Sequence, residues 1–105
     1  MSRIAELNDH LRRTFTGGRV VMTATVAALE PSEQAELFER VRSFADFNPD
    51  NNPHGERDFG VVTVGGERYF WKVDYYDLTM EAGSEDPADP TVTTRALIVG
   101  RMDDY

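Results

Sequence analysis

Between Asp58 and Asp77 the chain reads DFGVVTV, then Gly65-Gly66, then ERYFWKVDYYD. Two runs rich in Val, Phe, Tyr and Trp flank residues that accept positive φ, which predicts a long antiparallel hairpin. A two-residue turn sets the register: Val64 faces Glu67, Val62 faces Tyr69, Gly60 faces Trp71 and Asp58 faces Val73. One step further it sets Arg57 opposite Asp74, an opposite-charge pair. Alternation places Val62, Val64, Tyr69, Trp71, Val73 and Tyr75 on one side. Phe59, Val61 and Phe70 share the other side with Arg57, Arg68, Lys72 and Asp74. The first side is free of charge except near its ends and is expected to face the core. Gly60 then leaves room for the Trp71 indole. Large aromatics dominate small cores, so packing rather than an exposed aromatic binding face is the expected role of Trp71 and the tyrosines.

The rest of the chain supplies helices and flanking strands. Ser2 is placed to cap a helix running to about Arg13, with Ile4, Leu7 and Leu11 on one stripe and Arg12 and Arg13 at its C-terminal end. His10 falls on the polar side of that stripe and reads as a surface histidine. Gly17-Gly18 turns the chain into a short strand at residues 19–23, and Ala24 to Leu29 fits one helical turn. The glycine pair lacks the further glycine, Lys and Ser/Thr of a phosphate loop. Pro31 opens a second helix expected to reach about Asp46, its apolar face formed by Leu37, Phe38, Val41, Phe44 and Ala45. Residues 48–55 (NPDNNPHG) form the most polar loop. Residues 80–90 (MEAGSEDPADP) show no apolar period and predict an acidic, mobile surface loop. Residues 91–102 predict a final strand beside the hairpin. The expected fold is a single α+β domain over residues 1–105: an antiparallel sheet of three or four strands built on the central hairpin, with two helices packed on one face.

Composition narrows the chemistry. Of 105 residues, 11 are Lys or Arg and 19 are Asp or Glu, giving a net charge of −8. Such a surface is repelled by phosphate backbones, so direct nucleic-acid binding is not expected, while basic protein surfaces are attracted. The absence of cysteine excludes disulfides, thiolate catalysis and cysteine-ligated metals. No apolar run has the length of a signal peptide core or a membrane span, so a cytoplasmic location without membrane association is the expectation.

Two groups of residues are candidates for function. In His54-x-Glu56-x-Asp58 an extended backbone would point three side chains one way, and the hairpin register would bring Asp77 across from them. An imidazole with carboxylates is a ligand set for a divalent metal, or an acid–base pair; the alternative is a hydrogen-bonded loop anchor. The second group is the acidic surface of Glu81, Glu85, Asp86 and Asp89, suited to a basic protein partner or simply to solvation. Asp50-x-Asn52-x-His54-Gly55 mimics the start of a calcium loop, but its twelfth place is Val61 where a bidentate glutamate is required. Lys72-x-Asp74 reverses the order of a nuclease motif, and no G-x-S-x-G is present.

Taken together, GGRVVMT, FNPDNNPHGERDFG, ERYFWKVDYYD and EDPADPTVT resemble an uncharacterised family of small bacterial proteins, a domain of unknown function often carried on plasmids and other mobile elements. The resemblance spans nearly the whole chain and is most specific in PHGERDFG and FWKVDYYD. It implies a compact α+β domain and carries no catalytic residue across. The resulting expectation is an acidic accessory protein that is more a binder than an enzyme, acting on an unknown protein partner that handles nucleic acid or defence and using no cofactor. The opposing expectation is a small divalent-metal domain or metal-dependent enzyme centred on His54, Glu56, Asp58 and Asp77.

Overall fold

A computed structural model describes all residues from Met1 to Tyr105. The elements are α1 (Arg3–Thr14), β1 (Arg19–Met22), α2 (Ala24–Ala27), α3 (Pro31–Arg42), β2 (Phe59–Val64), β3 (Glu67–Tyr76) and β4 (Thr94–Arg101), followed by a 3-10 turn at Met102–Asp104. The Ser2 hydroxyl accepts from the Ala5 amide at 3.0 Å and starts α1. Phe15 ends it with φ 57°, its N–H donating to the Leu11 carbonyl at 2.8 Å. No helix is long and apolar enough to cross a membrane.

The four strands lie in the order β1-β4-β3-β2. The hairpin has the register its turn dictates, with Gly60 opposite Trp71 and Val62 opposite Tyr69, and β4 pairs antiparallel on the far side of β3. One expectation needs correction. β1 runs parallel to β4, so the sheet is mixed rather than antiparallel, and the hairpin lies toward one edge with β2 outermost. Two helices separate β1 from the hairpin, and a helical crossover is what allows a strand to enter a sheet in parallel.

All three helices cover the face bearing Tyr69, Trp71 and Val73. Leu11 of α1, Val26 of α2 and Leu37 and Val41 of α3 join those residues with Val64, Leu97 and Val99 in one buried cluster. Phe44 and Phe47 approach Trp71 edge-on, with ring centroids 5.4 and 6.1 Å away. Phe44 is not helical as expected, because α3 stops at Arg42. Its last carbonyls are taken by a cation from another helix: Arg12 Nη1 donates to the carbonyls of Val41 and Arg42, each at 3.0 Å. A positive group at that end also complements the helix dipole.

Trp71 is fully buried. A β-carbon at Gly60 would lie 2.4 Å from Trp71 Nε1 and 2.7 Å from Phe44 Cζ. Gly60→Ala should therefore cost about 1–3 kcal/mol, as overpacking a rigid core does. The check is the urea midpoint followed by Trp71 fluorescence; an unchanged midpoint contradicts the packing described.

Candidate functional site

The helix α1 buries polar residues. Asn8, Asp9 and Arg12 are 0–3% exposed, whereas Ile4 and Leu7 of the apolar stripe are only half-buried. Asp9 Oδ1 accepts from Arg12 Nη2 at 3.1 Å, and Asp9 Oδ2 accepts from Arg57 Nη1 at 3.0 Å. The Arg12 guanidinium also lies 5.1 Å from the Trp71 ring and 5.6 Å from Phe47, with Arg57 4.8 Å from Phe47. Burial lowers the Arg12 pKa from its ordinary value, and the hydrogen bond that Arg12 donates to Asp9 opposes that shift. Aromatic faces and one carboxylate thus replace water around Arg12 and partly shield Arg57.

Asn8 extends the network. Its Nδ2 donates to the Glu56 carbonyl at 3.0 Å and to the Tyr75 hydroxyl at 2.7 Å, and its Oδ1 accepts from Arg95 Nε at 2.8 Å. Arg95 Nη2 donates to the Pro87 carbonyl, and the guanidinium lies 5.1 Å from the Tyr75 ring. One turn of α1 therefore grips the loop before β2 and the loop before β4. Sequence reasoning missed this because it gave Arg12 only the helix dipole as a partner and made no reading of Asn8 or Asp9. The available signal was that Asn8 and Arg12 follow Ala5 at helical spacing, with Asp9 three residues before Arg12.

The gripped loop lines a cavity of about 450 Å³. Its wall is built from Asp50, Asn51, Pro53 and His54 of the loop, Asp58 and Phe59 at the start of β2, Lys72, Val73 and Asp74 of β3, and Tyr105. The loop holds its shape through its own amides: Asn48 Oδ1 accepts from the amides of Asp50 and Asn51, and Asn52 Oδ1 accepts from the Arg57 amide at 2.8 Å. The expected Arg57–Asp74 pair does not form. Arg57 has φ 54° and leaves the strand for Asp9, so pairing with β3 stops at the 2.9 Å bond from the Val73 amide to the Asp58 carbonyl. Asp74 is instead met by Lys72 Nζ at 3.3 Å and by the Tyr76 hydroxyl at 3.1 Å. Tyr105 packs edge-on against Phe59 and Phe70, at 5.6 and 4.9 Å.

The four residues considered as metal ligands separate. His54 and Asp58 line the cavity. Glu56 lies with the α1 network, close enough to Tyr75 and Arg95 to influence both. Gly55 and Arg57, both at positive φ, break the alternation that would have aligned residues 54, 56 and 58. Asp77 builds the turn after β3, accepting from the Thr79 hydroxyl at 3.0 Å and the Glu81 amide at 3.1 Å. Those bonds lower its pKa, the one from Thr79 most. No three His, Asp or Glu side chains stand close enough to share a metal ion.

The acidic loop is tied down rather than loose. Asp86 Oδ1 accepts from the Ala88 amide, Asp89 Oδ1 accepts from the Thr91 amide and hydroxyl, and Thr93 donates to the Asp86 carbonyl. Glu81 and Glu85 remain exposed and make no ion pair within the chain.

Residues 22–103 match the model of a family described as a protein of unknown function, DUF3768. The chain belongs to that family. The DUF3768 span contains the hairpin, β4, α2, α3 and every cavity residue except Tyr105, while α1 with Asn8, Asp9 and Arg12 lies before it. No curated protein and no solved structure matches the chain significantly.

Two outcomes follow from the network. Asp9→Ala strands two guanidinium groups, one of them fully buried, and should lower unfolding stability at pH 7 by about 3–5 kcal/mol, measured by urea denaturation. A loss below about 1 kcal/mol, the scale of an exposed pair, contradicts the burial described. Burial raises the Tyr75 pKa well above its ordinary 10.0, with Asn8's donated hydrogen bond opposing. The folded state keeps this proton where the unfolded state loses it, so the tyrosine's contribution is full below pH 10 and declines as pH rises further. Tyr75→Phe should flatten the alkaline limb of the stability–pH curve; an unchanged slope contradicts the assignment.

Proposed function

We propose that the protein acts by binding, and that what it binds is a cationic, extended segment of another protein, received at the cavity beside the 48–58 loop. The observation that carries this reading is the cavity wall: Asp50, Asp58 and Asp74 stand around Phe59 and Tyr105, against a single lysine that is already engaged with Asp74. Asp50 and Asp58 make no ion pair within the chain, so their charge is available to a guanidinium or ammonium group. Aromatic faces beside carboxylates suit such a group through combined cation–π and ionic attraction. The net charge of −8 extends the same preference beyond the cavity and speeds encounter with a basic partner. Exposed Glu81 and Glu85 add to that field. Protein surfaces that normally hold nucleic acid have the complementary chemistry, which makes a nucleic-acid-handling protein the fitting class of partner.

The test is an amide-resonance titration at low ionic strength with an arginine- and lysine-bearing peptide, and an acidic peptide of equal length as control. Shifts should concentrate at residues 50–59, 72–74 and 105 with the basic peptide and vanish in high salt. The Asp50→Asn/Asp58→Asn variant should weaken binding by roughly two- to thirtyfold, given about 0.2–1 kcal/mol for each of two exposed ion pairs. Equal response to both peptides, or no response at the cavity, contradicts the proposal.

A further inference from the structure

At the opposite edge of the sheet from the cavity, β1 has no strand on its outer side. Edge strands usually carry a lysine, a proline, a bulge or a cover that prevents pairing. β1 reads Arg19-Val20-Val21-Met22, pairs with β4 without a bulge, and leaves Val21 44% and Met22 40% exposed.

Its free hydrogen-bonding groups can be assigned. Met22 sits opposite Val99, and the Thr23 amide donates to the Val99 carbonyl at 3.0 Å. Hydrogen-bonding residues alternate along a strand, so Arg19 and Val21 also turn toward β4, and Val20 and Met22 turn their N–H and C=O groups outward. Side chains alternate as well: Arg19, Val21 and Thr23 share the sheet face away from the helices, and Val20 and Met22 share the helix face.

We propose that this edge pairs with the same edge of a second copy of the chain, antiparallel about a two-fold axis through Val21. Only a register that opposes residues of the same face is allowed. With Val21 facing its own symmetry mate, Val20 faces Met22 and Arg19 faces Thr23. Val20 and Met22 then exchange both of their outward bonds, twice by symmetry, and the Val21 pair falls at the closer, non-hydrogen-bonded position.

Charge selects this occupant. Thr23 and Thr25 donate to the Asp104 carboxylate at 3.1 and 3.3 Å, which fixes an acid beside Thr23. Arg19 is exposed and makes no ion pair within its own chain. The two-fold register brings Arg19 of each copy against Thr23 and Asp104 of the other, which gives two identical ionic contacts at the ends of the shared strand pair. A self-complementary patch of this kind is what a two-fold interface requires. The joined sheets would leave both cavities open at their outer edges.

The experiment is sedimentation equilibrium of the full chain over a wide concentration range, with backbone amide exchange read at the dilute and concentrated ends. The weight-average mass should rise toward that of a dimer, and the Val20 and Met22 amides should become protected only in the concentrated sample. Val21→Lys, which sets two like charges face to face, should hold the protein at monomer mass. Arg19→Glu, at an exposed position that bears no packing, should weaken association at least tenfold. A wild-type chain that stays monomeric throughout overturns the proposal, as does a dimer that survives both substitutions or leaves those two amides freely exchanging. Peptide binding at the cavity is measured separately on the Val21→Lys monomer, so loss of one result leaves the other standing.

Discussion

One buried carboxylate, Asp9, is shared by the buried guanidinium of Arg12 and the partly exposed one of Arg57, with Arg13 at its outer rim, and the positions of the helices and of the cavity loop follow from that sharing. Arg12 uses Nη1 to close the C-terminal end of α3 and lies over the Trp71 ring. Arg57 uses the same carboxylate to draw the 48–58 loop against α1. A buried ion pair is seldom a net gain over apolar packing, because desolvation is costly. Its value here is geometric. An apolar residue in place of Arg12 could fill the space but could not occupy two helix carbonyls and a carboxylate at once.

The consequences run outward from that point. With α3 halted at Arg42, Phe44 and Phe47 are free to turn onto Trp71, and Phe44 closes over Gly60. With Arg57 turned away from β3, Asp74 faces Lys72 and the cavity instead of Arg57. The carboxylates of the cavity are therefore left available by the same event that anchors the loop beside them. Asn8 performs the matching task for the other side, joining Glu56, Tyr75 and Arg95 and through Arg95 the loop at Pro87.

The hairpin was legible in the sequence because its information is local: a glycine pair fixes the turn, period two fixes the faces, and Gly60 marks where the indole fits. That a last strand lies beside the hairpin, and that the Trp71 side faces the core, was legible too; which edge of the hairpin β4 takes was not, because that pairing spans a long loop. The direction of β1 was not, since nothing in four residues states which way they run in a sheet closed some seventy residues later. The four candidate ligands are kept apart by two backbone angles. Gly55 could have been suspected of positive φ, but Arg57 adopts it only because Asp9 and the Asn52 side chain hold it there. The α1 network was hidden by a rule that is usually right: asparagine, aspartate and arginine on a helix go to water unless each finds a partner. Apart from the contacts of Asp9 with Arg12 and with the exposed Arg13, the partners lie more than two dozen residues away.

The sharing of Asp9 is most directly tested by a double-mutant cycle of Asp9→Asn and Arg57→Gln, read as urea unfolding free energies. If one carboxylate holds the loop through Arg57 as described, the two substitutions are coupled, by about 0.5–3 kcal/mol for contacting residues. Effects that simply add would mean that Arg57 reaches its place without Asp9, and the account of how the cavity is held would be wrong.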